Sequence, residues 1–288
     1  VRWGIVSTAK IGTEKVIPGM LKSASLQVAA IASRDLATAQ AAAVRLGIPQ
    51  AYGSYEALFA DPTIEAIYNP LPNHLHVPMT LAALQAGKHV LCEKPFAIHA
   101  AELDALRPYA SKLHVREAFM VRHHPQWIAA RDELRAGVIG ELRFMHVPFC
   151  YFNADPANIR NQPDIGGGAL YDIGCYAIVA GRWFFEAEVQ RVVASIDRDP
   201  VMKTDRTSSG LLEFGAGRQL AFTVSTPSAP CPRIQLVGTK GRIEIEIPFN
   251  APPDKPCRYF VDETSALDGS GLRSVVLPVV DQYQLQAE

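Results

Sequence analysis

The sequence predicts an α/β protein of two domains, the first on a parallel sheet and the second on a mostly antiparallel one. Three observations carry this. The chain has 288 residues, enough for two ordinary domains. Up to residue 121, short apolar runs alternate with helical segments. From residue 122 onward, strand-like segments succeed one another with turn residues between them and few helices.

Each element has its own reason. Arg2–Ser7 is an apolar run leading into a turn. Thr13–Lys22 reads as helix, kinked or shortened by Pro18. Leu26–Ala32 suits a strand buried on both faces. Leu36–Leu46 is an alanine-rich helix with Gly47 as its stop. Ala66–Tyr68 and His89–Cys92 read as strands. Pro78–Ala86 reads as helix, with proline at its start and Gly87 past its end. Ala101–Ala110 is a further helix and His114–Phe119 a strand. Such alternation implies right-handed crossovers and a sheet covered on both faces.

In the second half, helix Trp127–Ala136 precedes strand Leu142–Phe152. The cluster Gly166–Gly168 stands before another helix as a flexible run. Strands are expected at Val189–Ile196, Ser208–Phe214, Gln219–Ser225, Arg233–Leu236 and Arg242–Ile247. The domains are therefore placed at 1–121 and 122–288.

Composition removes several function classes. Twenty-eight basic against twenty-nine acidic side chains leave a net charge of -1, with no basic run to draw nucleic acid or an anionic membrane. The longest apolar stretches are too short to span a bilayer. Five cysteines, an odd number without metal-ligand spacing, suggest free thiols in a reducing compartment. A cytoplasmic location is expected, although the start at Val1 leaves a processed leader open. His123–His124 and the pair His74 and His76 have no third ligand at useful spacing, so no metal is expected. Gly-x-Ser-x-Gly is absent, and with it a nucleophile-elbow hydrolase.

Four segments carry chemistry. Ser7, Thr8, Ala9, Lys10, Ile11 and Gly12 join the first strand to a helix, where a backbone can approach a pyrophosphate. Ser7 and Ala9 stand where glycines are usual, so an ordinary strand–helix turn reads nearly the same. The second strand ends at Ala32-Ser33-Arg34, where NAD enzymes carry an acid for the ribose hydroxyls. Ser33 and Arg34 would instead bond a 2′-phosphate, which favours NADP, with NAD possible. Asp35 reads as a cap for the next helix. Glu93-Lys94-Pro95 comes directly after a buried strand, which aims Lys94 at the ligand crevice; proline there permits a cis bond. Finally, Asp172 and Tyr176 lie four apart, on one face of a helix. A carboxylate and a phenol together can orient a substrate hydroxyl and move its proton.

Together these segments resemble the glucose-fructose oxidoreductase / inositol dehydrogenase / MocA family over nearly the whole chain. The resemblance rests on Gly4 to Gly12, Ala32-Ser33-Arg34-Asp35, Pro72-Asn73-His74, Glu93-Lys94-Pro95, Glu117-Ala118-Phe119 with Arg122, and Gly166 to Tyr176. It implies a Rossmann domain followed by an α/β domain whose open sheet makes a dimer or tetramer contact. It implies Lys94 close to the nicotinamide, and Leu71, Asn73, His74, Glu93 and Arg122 at the cofactor. Tyrosine at position 176, where many members have histidine, is similar to the branch holding glucose-fructose oxidoreductase, dimeric dihydrodiol dehydrogenase and xylose dehydrogenases. Relatives continue past the equivalent of Asp281-Gln282-Tyr283 into a helix that packs on the first domain, so this chain is expected to be cut short there.

The expected reaction is hydride transfer between NAD(P) and a small sugar, polyol or diol bound between the domains. Tyr176 would serve as general acid/base, Lys94 would favour its phenolate, and Asp172 would orient substrate. Tyr151, Asn153 and Arg160, ahead of the glycine run, would line the substrate pocket. A non-catalytic NADP sensor and a closed-cycle enzyme with tightly held cofactor remain alternatives.

Overall fold

A computed structural model of the chain describes residues 1–264, 266 and 268–288. It resolves into two compact units: Val1–Met120 with Gln282–Glu288, and Val121–Asp281.

The first unit is built on six parallel strands: β1 (Arg2–Val6), β2 (Gln27–Ala32), β3 (Gln50–Tyr52), β4 (Ala66–Asn69), β5 (His89–Cys92) and β6 (Val115–Glu117). Their order is β3-β2-β1-β4-β5-β6. The chain thus reverses direction of progress across the sheet beside β1, the place where open α/β sheets bind ligands. The central strands are apolar because both faces are covered: every residue of β4 is buried, as are the last five of β2.

Helix α2 (Leu36–Leu46) starts on Asp35, whose carboxylate accepts from the Thr38 N–H at 2.9 Å. It stops at Gly47, whose φ of 68° is left-handed. Helix α3 (Tyr55–Ala60) is capped by Ser54, and α4 (His76–Gln85) starts two residues before Pro78. The segment Ala100–Tyr109 is a 3-10 helix containing Pro108 rather than an α-helix. The helix after β1 opens with a π turn, Gly12–Val16, and becomes α1 (Ile17–Met20). Pro18 falls in the first turn of that α segment, where its missing N–H is tolerated, so it does not break the helix.

The second unit holds α5 (Pro125–Arg135), α6 (Cys175–Phe185) and eight strands: β7 (Leu142–Cys150), β8 (Arg191–Arg198), β9 (Asp205–Glu213), β10 (Gln219–Ser225), β11 (Ile234–Gly238), β12 (Arg242–Ile245), β13 (Arg258–Asp262) and β14 (Leu272–Val276). The sheet order is β14-β13-β12-β11-β7-β10-β9-β8. All pairs are antiparallel except β10 with β7. On β7, Met145, Val147 and Phe149 are buried while Phe144 and His146 are exposed, so one face packs and the other is open.

The first unit ends at Met120, one residue before the expected 121/122 split, and takes in the last residues of the chain. Gln282–Ala287 forms α7, which packs on α1 within the first unit. Gly19 marks that contact: a Cβ there would lie 2.9 Å from Gln284 N and from Tyr283 Cβ. A helix returning to the first domain thus begins inside the chain, not beyond its end.

Candidate active site

The carboxyl ends of β1, β2, β4 and β5 share one edge of the parallel sheet, and the candidate cofactor residues of the first unit stand there. Ser7 ends β1 in the left-handed region, φ 67°, and its hydroxyl accepts from the Ala9 N–H at 3.3 Å. This backbone state explains why glycine is usual at that position; serine holds it with a local bond at a cost of about 1 kcal/mol. Gly12 is buried against Tyr68 and Pro70 at the end of β4. Ser33 and the exposed Arg34 come after β2, and the Ser33 N–H donates to Tyr52 O of β3 at 3.1 Å. Leu71 is buried, with its N–H on Asn69 Oδ1 at 3.3 Å. Asn73 and His74 open a short 3-10 turn. His74 Nδ1 is buried and has no hydrogen-bond partner within the described residues.

Lys94 sits on a loop whose backbone is fixed by side chains from neighbouring strands. The Tyr68 hydroxyl of β4 donates to Glu93 Oε1 at 2.7 Å, and Glu93 Oε2 accepts from the Lys94 N–H at 3.3 Å. Burial first, and then the Glu93 charge, pushes the Tyr68 hydroxyl well above the usual tyrosine range, so it remains a donor. Glu117 Oε1, at the end of β6, accepts from the Phe96 N–H at 2.8 Å. The Lys94–Pro95 peptide is cis.

In the second unit, Asp172 is the hub. Its Oδ2 accepts from the Tyr151 hydroxyl at 2.5 Å and its Oδ1 from Arg160 Nε at 3.0 Å. The Asp172 side chain is 12% exposed and that of Arg160 42%. Asp172 is the main cause holding the Arg160 pKa above its ordinary value, with Tyr151 and Tyr176 contributing less. Tyr176 is buried, its ring edge-on to Phe149 at 5.7 Å and tilted against Phe249 at 5.5 Å. Thus one carboxylate, one guanidinium and two phenols form an electrostatically linked set, with Asp172 and Tyr176 on the helix after the glycine run and Tyr151 and Arg160 ahead of it.

The comparisons with known proteins agree with this geometry. Residues 1–123 match a family described as an oxidoreductase family with an NAD-binding Rossmann fold, and residues 127–244 match the GFO/IDH/MocA C-terminal domain. A D-xylose 1-dehydrogenase (NADP(+)) of Haloferax volcanii is 40% identical over 291 residues, which covers 99% of this chain and 86% of that protein. The chain belongs to the GFO/IDH/MocA oxidoreductase family. A mouse trans-1,2-dihydrobenzene-1,2-diol dehydrogenase is 35% identical over 85% of this chain and 74% of its own. Among solved structures, the 3-ketoreductase KijD10 of Actinomadura kijaniata, in complex with NADP and TDP-benzene, superposes with a TM-score of 0.91 at 30% identity, covering 100% of this chain and 87% of that one. The protein is accordingly a nicotinamide-dependent oxidoreductase with a parallel six-stranded sheet and a second, mostly antiparallel one. Among the described residues, no helix is long and apolar enough to cross a membrane.

For this GFO/IDH/MocA member, the structure adds detail to several sequence expectations. The glycine run is tied to the loop before it by backbone hydrogen bonds. Gly167 N–H donates to Gln162 O at 2.9 Å and Gly168 N–H to Arg160 O at 2.8 Å. A Cβ on Gly167 would lie 2.6 Å from Gln162 O, so glycine is needed for backbone contact. Asp172 lies in a π turn, Leu170–Gly174, rather than in a continuous α-helix. The Tyr151 phenol bonds Asp172. Asn153 serves its own loop: Oδ1 accepts from Asp155 N and Asn161 Nδ2 at 3.1 and 3.3 Å. Arg122 falls in the second unit, exposed, with its guanidinium 5.3 Å from the Trp183 ring centroid.

Sequence reasoning missed two supporting residues. Tyr68 holds Glu93 from a neighbouring strand. Asp205, buried, accepts from the Leu170 N–H and the Ser208 hydroxyl, each at 2.7 Å, and so fixes the start of the Asp172 helix. Neither residue belongs to a local motif.

Proposed function

We propose that this oxidoreductase transfers hydride between NADP and a sugar, polyol or diol at a CH–OH group, with Lys94, Tyr176 and Asp172 as the reacting machinery. The observation that carries the reading is the fixing of Lys94 at the carboxyl end of β5, among the strand ends where this sheet topology binds ligands.

The residues present fit a dinucleotide. Ser7–Gly12 form the tight turn into a helix N-terminus, His74 Nδ1 is a buried polar atom with no partner among the described residues, and past β2 Ser33 and exposed Arg34 stand where an acid is usual, with Asp35 engaged in capping α2. Ser7, Thr8, Ala9, Lys10, Ile11 and Gly12 would hold the pyrophosphate, Ser33 and Arg34 the 2′-phosphate. Leu71, Asn73, His74, Glu93 and Arg122 would line the remainder. The nicotinamide, when bound, supplies the hydride acceptor or donor. NADP in the KijD10 complex and in the name of the xylose dehydrogenase supports the choice over NAD.

Tyr176 acts as general acid/base at the substrate oxygen. A phenol in water titrates at about 10, so a neighbouring cation is needed to favour its phenolate. Lys94 is assigned that role, and Arg160 adds positive charge in the same unit as Tyr176. Asp172 orients substrate hydroxyls, held by Tyr151 and Arg160. Sugars suit such a site, because a carboxylate and a guanidinium bond vicinal hydroxyls well.

The protein is further read as a cytoplasmic homodimer or homotetramer. Five cysteines without a disulfide support the compartment. Exposed Phe144, with Val192, Val193 and Ile196 on the edge strand, supports association. Light scattering tests it, and a monomer at micromolar concentration would reject it.

The activity test monitors absorbance of reduced nicotinamide with NADP, and separately NAD, across aldoses, polyols and diols. Lys94→Ala is expected to abolish turnover while cofactor binding persists. Unchanged turnover in that variant would sink the proposal.

A further inference from the structure

One buried histidine, His76, is not used by the mechanism above. It opens α4 and is 1% exposed. Its backbone is anchored, because Asn69 Nδ2 at the end of β4 donates to His76 O at 3.1 Å. Both ring nitrogens meet main-chain carbonyls: Nδ1 lies 2.7 Å from Pro95 O and Nε2 lies 2.6 Å from Leu71 O.

We propose that His76 is the positioning residue of Lys94. Its ring ties the carbonyl directly after Lys94 to the carbonyl that precedes the Asn73–His74 turn, so the two strand-end loops are held in one register. This rests on the reading that Lys94 acts at the reacting carbon.

The chemistry supports a donor role. Carbonyl oxygens only accept, so the ring must donate to at least one of them; a neutral ring has one N–H and an imidazolium two. Burial pushes the His76 pKa down, the two carbonyls oppose this, and the charges of Lys94 and His74 lower it further. Tyr68 and Glu117 fix Glu93 and Phe96. His76 supplies the contact at Pro95, so the Glu93–Phe96 loop is held on both sides of Lys94. Without the His76 contact, Lys94 could drift by a fraction of its reach, and a misplacement of about 1 Å can cost roughly 100-fold in rate.

The test compares His76→Gln, which keeps an N–H donor without a titrating charge, with His76→Leu, which keeps bulk and loses every donor. Both are assayed as the full chain with NADP and the wild type's best substrate, at a temperature where circular dichroism shows each folded. His76→Gln is expected to keep kcat within about threefold, and His76→Leu to lose about 10- to 100-fold in kcat with KM and the NADP Kd nearly unchanged. A second readout is independent of turnover: acetic anhydride labelling of Lys94, read by mass spectrometry, should accelerate several-fold in His76→Leu and not in His76→Gln. If His76→Leu does not fold, His76→Asn, whose amide is too short to span both carbonyls, takes its place in both assays. Equal losses in the donor and non-donor variants, or a loss seen in NADP Kd instead of kcat, overturn the positioning role. An active wild type with an unaffected non-donor variant overturns this inference alone. A wild type inert with every substrate overturns the functional reading, and unchanged Lys94 labelling then overturns this one too.

Discussion

Removing the Tyr151 hydroxyl tests the Asp172 hub directly. In Tyr151→Phe the ring stays and one hydrogen bond of 2.5 Å to Asp172 Oδ2 is lost. A hydrogen bond to a charged group contributes about 1.5–3 kcal/mol. The lower end applies here, because Arg160 Nε still holds Asp172 Oδ1 at 3.0 Å and the Arg160 side chain is 42% exposed, so water can reach the site. About 1.5 kcal/mol corresponds to a roughly tenfold loss in kcat/KM for the sugar. The assay is initial-rate reduction of NADP, with the NADP Kd measured alongside by fluorescence. The Kd should stay within about twofold of wild type. Asp172→Asn combined with Tyr151→Phe should cost less than the sum of the two, because both act on one carboxylate. A kcat/KM within twofold of wild type, or strict additivity in the double variant, would refute the view that Tyr151 acts through Asp172.

Three other perturbations test further parts of the molecule. Gly168→Ala places a Cβ 1.9 Å from Asp205 Oδ1 at a φ of +120°, which displaces the carboxylate that holds Leu170 N. A loss of about 3 kcal/mol is expected in urea unfolding monitored by tryptophan fluorescence, and a shift under 1 kcal/mol would count against this packing. Arg34→Ala should weaken NADP about tenfold and leave NAD within about twofold, since only the former offers a 2′-phosphate. Equal weakening of both would remove the assignment. Buried His124 has its pKa lowered to about 4 by desolvation, while its Nδ1 caps α5 through the Gln126 N–H at 3.2 Å. In the unfolded chain a histidine titrates near about 6.5, so between these values the unfolded state binds more protons and stability falls as pH drops, by about 3 kcal/mol in all. His124→Asn keeps a capping acceptor and removes the titration, so its melting temperature should decline less than wild type from pH 7 to pH 4; parallel declines would exclude His124 as a source.

Much of the first sheet was legible because its strands are apolar on both faces and its helix ends are marked by residues with one physical use. Gly47 at φ 68° and Asp35 on Thr38 are such marks, and both were placed from the sequence. What escaped notice was short or marginal. β3, with no buried residue, offers little apolar pattern. β14, at the sheet edge, has four of five residues exposed, and its pairing with β13 rests on partners the sequence does not signal. The same holds in the site. Lys94 and Asp172 stood out because each lies in a compact local motif. Tyr68 reaches Glu93 across 25 residues and Asp205 reaches Leu170 across 35, and no local period carries such pairings.

The opening geometry of the helix that carries Asp172 and Tyr176 was not legible either, and the same gap recurs at the other site helix. Four residues of spacing puts two side chains near one face of a helix. Both helices singled out in the sequence open on π turns, Gly12–Val16 and Leu170–Gly174. A turn closed by i→i+5 bonds holds one residue more, which rotates the rest of the helix by about 100° relative to the α register. Asp172 lies inside that turn and Tyr176 beyond it. The carboxylate meets Tyr151 and Arg160, and the Tyr176 ring packs on Phe149 and Phe249. One helix thereby carries a carboxylate anchored by Tyr151 and Arg160 in its opening turn and, four residues on, a buried phenol, and that opening was not legible because no residue type marks an i→i+5 closure.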